Sequence, residues 1–478
     1  MTFLKGLGYG LLALVGTVLL GLAVVWVALR TDWGSDRLRG VVLKTVNAAV
    51  AGGLEYQRLR LLGDRVVLEG VVLKDPEGEV VARVESIEIE AAFLALVRRD
   101  IRLEEVLIRA PELYLKADER GLNLNRAIAA RAPPEPPKPG EPSAPPSLSF
   151  SVSRLSLERG TIEYLQEALD GGEPLKARVE AFSVQGHASY ALGSGEVDAK
   201  LELRGDTRHP VRGPLALTVS ASGDADKTLG ELSANLPGLA LAASARMEGS
   251  EAYGLEIRRL EVQPALVRSV VSTYPVAVPL SLKGTASLRG NVAEADLELA
   301  AGSAHLTAQG QVDIESMRAR GLILRLRDAN LAELVRGSPR SDLGLELKLD
   351  GGGTKLDTLD LTAFLKVPPS RIGGHPLGPV RMKALAQNGR FQIAELSALL
   401  PGVKLSAAGT GSERQVSFAG NLTVTDLKAF GDTLGRVATG QALPLEGSGS
   451  LDFSAEGPLD RPGLAVKGAF PRLVYQTV

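Results

Sequence analysis

The sequence contains no cysteine. Disulfides, thiolate nucleophiles and cysteine-ligated zinc are excluded together. Histidine is scarce as well: His187, His209, His305 and His375 are scattered singly, none with a second histidine at metal-ligand spacing. Aromatic residues make up only 4% of the chain, too few for base-stacking platforms or an aromatic-rich interface. The formal charge is -2, with acids and bases interspersed and no basic face. That balance gives no general attraction to nucleic acid, and no nucleic-acid partner is expected.

Motifs for chemistry are thin too. No Walker motif, nucleophile elbow or zinc constellation is present, and no catalytic, cofactor-binding or metal-binding residue is assigned. The stretch "GDADKT" places Asp224 and Asp226 like a small metal-binding turn, but a hairpin turn explains it better. Glu104 and Glu105 are adjacent on an expected strand, so simple alternation sends them to opposite faces, where they cannot act as a paired acid and base. Gly351 to Gly353 lead into a strand rather than a helix, so they build no phosphate cradle. Gly447 and Gly449 read as turn glycines. The chain is not expected to be an enzyme.

What is present is apolar content, 45% of 478 residues. One block, "GLGYGLLALVGTVLLGLAVVWVAL" over residues 6–29, carries no charge. As a helix rising ~1.5 Å per residue it spans about 36 Å, enough for a ~30 Å hydrocarbon core with some tilt. Tyr9, Trp26 and Trp33 stand near its ends, where interfacial aromatics belong. The run exceeds a signal-peptide core, and bulky Trp26 spoils a cleavage site after Ala28. Residues 1–30 are therefore expected to be an uncleaved anchor. Arg30, Arg37, Arg39 and Lys44 outnumber Lys5 across it, but large domains translocate despite such charges, so orientation stays open on these residues alone.

Beyond the anchor, "SDRLRGVVLKTVNAAVA" at 35–51 has helical apolar spacing and stops at Gly52-Gly53. Strands follow in "LEYQRLRLL", "RVVLEGVVLKD", "EVVARVESIEIE", "DIRLEEVLIRA" and "PELYLKAD", with "AAFLALVR" as a short helix or crossover. A proline-rich linker occupies 132–148. It divides an N-terminal module at 31–131 from a β-rich region at 149–478. That region is a series of short alternating strands separated by Gly, Pro, Asp and Asn, which means a sandwich, a barrel or an open stack.

The alternation is clearest at 341–367, "SDLGLELKLDGGGTKLDTLDLTAFLKV". Leu343, Leu345, Leu347 and Leu349 alternate with Gly344, Glu346, Lys348 and Asp350. After the glycine turn, Leu359, Leu361, Ala363, Leu365 and Val367 resume the pattern. Strand side chains alternate between faces, so this is a hairpin with one apolar face. Internal similarity points to repetition: "ELSANLPGLALAASA" (231–245) matches "ELSALLPGVKLSAAG" (395–409). A looser unit runs from strand into short helix in "LEVQPALVRSVV", "LRLRDANLAELV" and "LTVTDLKAFGDTL". Repeated modules favour growth in one direction, each unit contacting mainly its neighbours; two divergent sandwiches are the alternative.

After the membrane run, the features "LKDPEG", Phe93-Leu94 and Leu96-Val97 before "RRDIRLEEVLI", and "APELYLKADERGLNLN" resemble the opening module of the AsmA-like superfamily of bacterial envelope proteins, to which TamB belongs. The later "VSRLSLERGTIEY", the "LPG" strands and "GSGSLDFSAEGPLDRPGLAVKGAF" are similar to its downstream repeats. The resemblance implies a mainly β protein: a transmembrane helix, then an elongated, repetitive, taco-like antiparallel sheet with an apolar trough and short helices. It also implies an inner-membrane anchor through residues 6–29, with the body in the periplasm of a Gram-negative bacterium. The chain departs from the pattern by stopping at "PRLVYQTV" in mid-repeat.

The function implied is bridge-like phospholipid transport between inner and outer membranes. Phospholipid acyl chains would lie on a face that includes Leu343, Leu345, Leu347, Leu349, Leu359, Leu361, Leu365 and Val367. Exposing a ~16-carbon chain to water costs roughly 13 kcal/mol at ~0.8 kcal/mol per methylene, which a continuous apolar face offsets without a catalytic group. Ala-rich stretches such as "LALAASA" and "AHLTAQG" leave room beside such chains. The alternatives are an assembly factor with an outer-membrane protein partner at its strand edges, and a structural tether that carries nothing.

Overall fold

A computed structural model describes residues 47–48, 50–62, 65–91, 100–129, 149–167, 174–271, 274–353, 355, 357–432 and 445–475. The expected anchor, most of the helix at 35–51, the "AAFLALVR" segment after Ala91 and the proline-rich linker lie outside them. Among the described residues no helix is long and apolar enough to cross a membrane. The chain divides into two units, residues 1–250 with 265–272 and residues 251–264 with 273–478. Both are built mainly from antiparallel sheet.

In the first unit β1 (Gly53–Glu55) and β2 (Arg58–Leu62) pair in succession along β3 (Arg65–Lys74). The sheet continues through β4 (Val80–Ala91) and β5 (Asp100–Arg109). β3, β4 and β5 follow the alternating stretches expected for them, whereas the single strand expected in "LEYQRLRLL" is broken at Tyr56 and Gln57 into β1 and β2. β6 (Glu112–Asp118) and β7 (Gly121–Leu122) lead into α1 (Asn123–Ile128). Asn123 is buried there and locks the helix to β6, accepting from the Lys116 backbone N–H and donating to the Tyr114 carbonyl.

The long β8 (Ser149–Gln166) lies beyond the linker yet pairs in parallel with β5 and then β6, which precede it. The segments on either side of the proline-rich stretch therefore share one sheet. From β8 the chain meanders through β9 (Leu175–Ala191), β10 (Val197–His209), β11 (Gly213–Gly223), β12 (Lys227–Leu236) and β13 (Leu239–Glu248). The "GDADKT" stretch is the β11–β12 turn: Asp224 Oδ1 accepts from the backbone N–H groups of Asp226 and Lys227. Among the described residues no group of acidic or histidine side chains is arranged to hold a metal.

The second unit repeats the meander. It runs through β14 (Ala252–Val262), β15 (Leu280–Arg289), β16 (Val292–Ala301), β17 (Ala304–Asp313), β18 (Arg318–Ala329), β19 (Ser341–Gly352) and β20 (Asp360–Val367). A small side hairpin of β21 (Ser370–Ile372) and β22 (His375–Leu377) interrupts it. The sheet resumes with β23 (Val380–Gln387), β24 (Arg390–Leu400), β25 (Val403–Ser412), β26 (Gln415–Val424), β27 (Leu445–Pro458) and β28 (Gly463–Tyr475).

Both internal similarities correspond to structure. The "LPG" copies are the β12–β13 and β24–β25 hairpins, closed by the pairs Leu236–Leu239 and Leu400–Val403. Each has proline followed by glycine at the turn, with Gly238 and Gly402 at φ of 88° and 70°. Proline presets the first turn residue and glycine supplies the left-handed second one. The strand-to-helix units are β14 into α2 (Pro264–Val270), β18 into α3 (Leu331–Leu334), and β26 into a helical segment at 427–432. The buried Ser341 hydroxyl donates to the Ala329 carbonyl and accepts from the Leu331 N–H, fixing α3 at the start of β19.

Two sequence expectations need correction. Gly447 and Gly449 lie inside β27, not in a turn, because the strand begins at Leu445. Glu104 and Glu105 do not take opposite faces by simple alternation. Glu105 pairs with Glu90 whereas Leu103 pairs with Ala91, so β5 carries one extra residue there. Leu103 and Val106 consequently join the same apolar cluster, and both glutamates fall on the other side. Glu105 stands 3.8 Å from Arg65 and 3.7 Å from Arg154.

That bulge is one of a series. The apolar pairs Val152–Leu155, Ile257–Leu260, Ala319–Leu322, Leu326–Ala329 and Ile393–Leu396 are each spaced by three, which would flip the second residue to the wrong face of a regular strand. At each, the partner strand advances only two residues. The added residue restores the phase, so the apolar side stays apolar along the whole strand.

Candidate functional site

The candidate face is built by cross-strand register. Leu347 stands opposite Leu324 on one side and Leu365 on the other, and Leu349 opposite Leu322 and Ala363. Leu345 faces Leu326, and Leu343 faces Ala329. On β20, Leu361 faces Gly351 and Ala386, and Val367 faces Val380. Seven of the eight sequence-derived positions therefore share one face. Leu359 sits just before β20, in the connection from β19.

The rows extend well past this hairpin. One runs Leu282, Leu299, Leu306, Leu326 and Leu345 across five strands. The next continues from Leu365 to Met382, Leu396, Ala407, Gly420, Phe453 and Val466. In the first unit a comparable row joins Leu201, Val219 and Leu232.

Burial separates this face from a core. The first unit does contain a packed cluster, in which Val66, Ile89 and Leu103 are 2–8% exposed. Leu201, Val219 and Leu232 are instead 36–40% exposed. Among the described residues, none of the leucine, isoleucine, methionine or phenylalanine side chains on the second unit's apolar rows is fully buried. Leu464 and Val466 reach 76% and 61% exposure. The side chains buried there are short ones: Ala304, Ala329, Ala386, Ala398, Val403, Val416 and Val424. Among the described residues the leucines are covered by strand neighbours, not by a second layer. Packing among the described elements runs chiefly between adjacent strands; α3 packs at the start of β19, and its Glu333 carboxylate accepts from the Ser303 N–H at the β16–β17 turn.

The opposite face is polar and internally neutralised. Glu346 lies opposite Lys366 and Arg325, and Lys348 Nζ approaches Glu346 Oε1 at 2.9 Å. The hydrogen bond from Lys348, with added attraction from Arg325 and Lys366, lowers the Glu346 carboxyl pKa below its ordinary value. Lys283–Glu298 at 3.0 Å and Arg318–Asp360 at 2.8 Å repeat the theme. A hollow of about 820 Å³ on this side of β24–β28 is floored by alanines and edged by Ser397, Asn421, Asp452 and Lys467. It offers small polar groups without a buried unpaired one. Phe364 belongs to this face as well, between Lys348 and Lys383.

Sequence alternation missed two features of the site. The bulges escaped it because a three-residue apolar spacing reads as a break in a strand; each such spacing encloses at least one charged residue, and at 103–106, 152–155, 257–260 and 326–329 it encloses a polar pair. The other is how the phenylalanines lie. The Phe391 ring rests across Gly411, Phe418 across Gly409, Phe453 across Gly420 and Phe470 across Gly449. In each case a Cβ on the glycine would come within 2.3–2.4 Å of the ring.

The architecture is that of a mainly β repeat protein that carries an unusually open apolar face. The chain matches the AsmA family over residues 5–363, and it belongs to that family. Comparison with curated proteins and with solved structures returns no match.

Proposed function

We propose that this protein is a periplasmic, bridge-like carrier of phospholipid, anchored in the inner membrane by residues 6–29, whose apolar face holds acyl chains on their way between the two membranes. AsmA family membership fits an envelope role of this type. The observation that carries the reading is the half-buried leucine rows. Apolar rows left this open are costly in water, and a monomeric soluble protein rarely keeps a large apolar patch without a ligand or partner for it. Acyl chains suit the face because it is long, continuous and without polar groups that would select a headgroup. The headgroup stays in solvent, so the rows need only repay about 0.8 kcal/mol per methylene.

No chemical step is required of the protein. The paired charges of the other face keep that side in water and leave one side for lipid. Native mass spectrometry of the full chain extracted from membranes tests the reading. Co-purifying phospholipid is the expected result. A lipid-free chain that retains an outer-membrane protein would favour the assembly-factor reading instead, and a chain with neither would leave a tether.

A further inference from the structure

The phenyl rings lie where glycine alone lets them lie. Phe391 and Gly411 are direct partners across β24–β25, as are Phe418 and Gly409 across β25–β26, and Phe453 and Gly420 across β26–β27. All stand on the apolar face. A partner with a Cβ would push each ring off the sheet; opposite glycine, the ring folds down onto the neighbouring backbone. Phe391 and Phe418 both fold over β25, with centroids 6.0 Å apart and planes tilted by 31°. Glycine weakens a strand and is expected where something must approach the backbone closely. Here the approaching group is the protein's own ring.

Resting on the lipid-carrier reading, we infer that the phenylalanine–glycine pairs of β24–β27 set the clearance of the acyl-chain path. The glycines are positioning residues that act through the rings: they keep the largest side chains of the face flat, so that acyl chains pass over them. Phe391 and Gly411 give the cleanest case, since the three atoms nearest to a Cβ at 411 all belong to the Phe391 ring. At 409 and 420 backbone carbonyls crowd the same position.

The test uses the full chain in native membranes, with a photoreactive diazirine residue at Ile393, which shares this strip, or at Leu347 as a distant reference. Lipid crosslinking is expected at both positions in the parent protein. Gly411→Ala should lower it several-fold at 393 and leave 347 unchanged, and adding Phe391→Leu to Gly411→Ala should restore it. Melting curves accompany each variant. Should Gly411→Ala fold poorly, the Phe391→Ala/Phe418→Ala protein decides: removal of the rings should leave crosslinking at 393 equal or higher. A several-fold fall in that variant, or parent-like crosslinking at 393 in folded Gly411→Ala, overturns the inference alone. Absence of lipid at both positions in the parent protein overturns the carrier reading and the inference with it.

Discussion

Leu347 and Leu365 face each other across β19 and β20, and on the opposite side of the sheet their neighbours Glu346 and Lys366 do the same. One residue of register separates a hydrocarbon surface from a charged one. That relation holds strand after strand because bulges correct the phase wherever the apolar spacing lengthens. The second unit's sheet is amphipathic, and among the described residues its apolar side is not hidden within a packed core.

Truncations should report this difference in stability. Ile89→Ala, within the packed cluster, is expected to cost about 2–5 kcal/mol, the range for large-to-small core changes. Leu347→Ala removes a side chain that is already partly exposed and leaves no closed cavity, so its cost should be about 1 kcal/mol. Denaturant melts of both variants measure it. Equal losses would mean that the Leu347 face is packed like a core.

Much of this was legible in the sequence. β3 to β6, the β19–β20 hairpin and the proline-glycine repeat all follow from alternation and turn chemistry, whereas "LEYQRLRLL" divides into β1 and β2. The bulges did not, because Ile257–Leu260 or Ile393–Leu396 breaks a period-two pattern and only the partner strand shows that the break is absorbed. Phe364 was not assigned to a face in the sequence, and the register puts it on the polar side between Lys348 and Lys383. Gly447 and Gly449 misled because glycine so often marks turns; within β27, Gly449 accommodates the Phe470 ring instead.

The proline-glycine turns should be intolerant of side chains. Gly402 has φ of 70°, and a Cβ there would come within 1.9 Å of the Asp426 carbonyl oxygen. Gly402→Ala should cost more than the ~1–2 kcal/mol of the left-handed conformation alone. Gly374, at φ of 81° in open space, should lose only that conformational cost when changed to alanine. Thermal melts of the two variants should rank in that order.

Acid should erase the contribution of Glu346. Its folded pKa is lowered, first by Lys348, so its stabilisation is complete above the ordinary glutamate range and disappears as pH falls through the lowered value. Glu346→Gln should be less stable by about 0.2–1 kcal/mol at neutral pH, as for other partly exposed pairs. The gap should close on acidification. A gap that persists at low pH would point to lost packing and not to charge.

The proposed anchor predicts a graded loss of insertion. Arginine at both Val15 and Leu19 should disfavour insertion by about 2.5–3.5 kcal/mol for each central charge. Membrane fractionation reads the result. If the doubly substituted chain still fractionates as an integral membrane protein, the anchor lies elsewhere.

The carrier reading is tested most directly by photocrosslinking from the two sides of one strand. A photoreactive residue at 347 should capture phospholipid in the folded, membrane-anchored protein, while the same residue at 348, among the charges of the other face, should capture little. Melting curves must show both proteins folded. Lipid captured equally from 347 and 348, or none from 347, would contradict the account and leave the leucine rows without their proposed cargo.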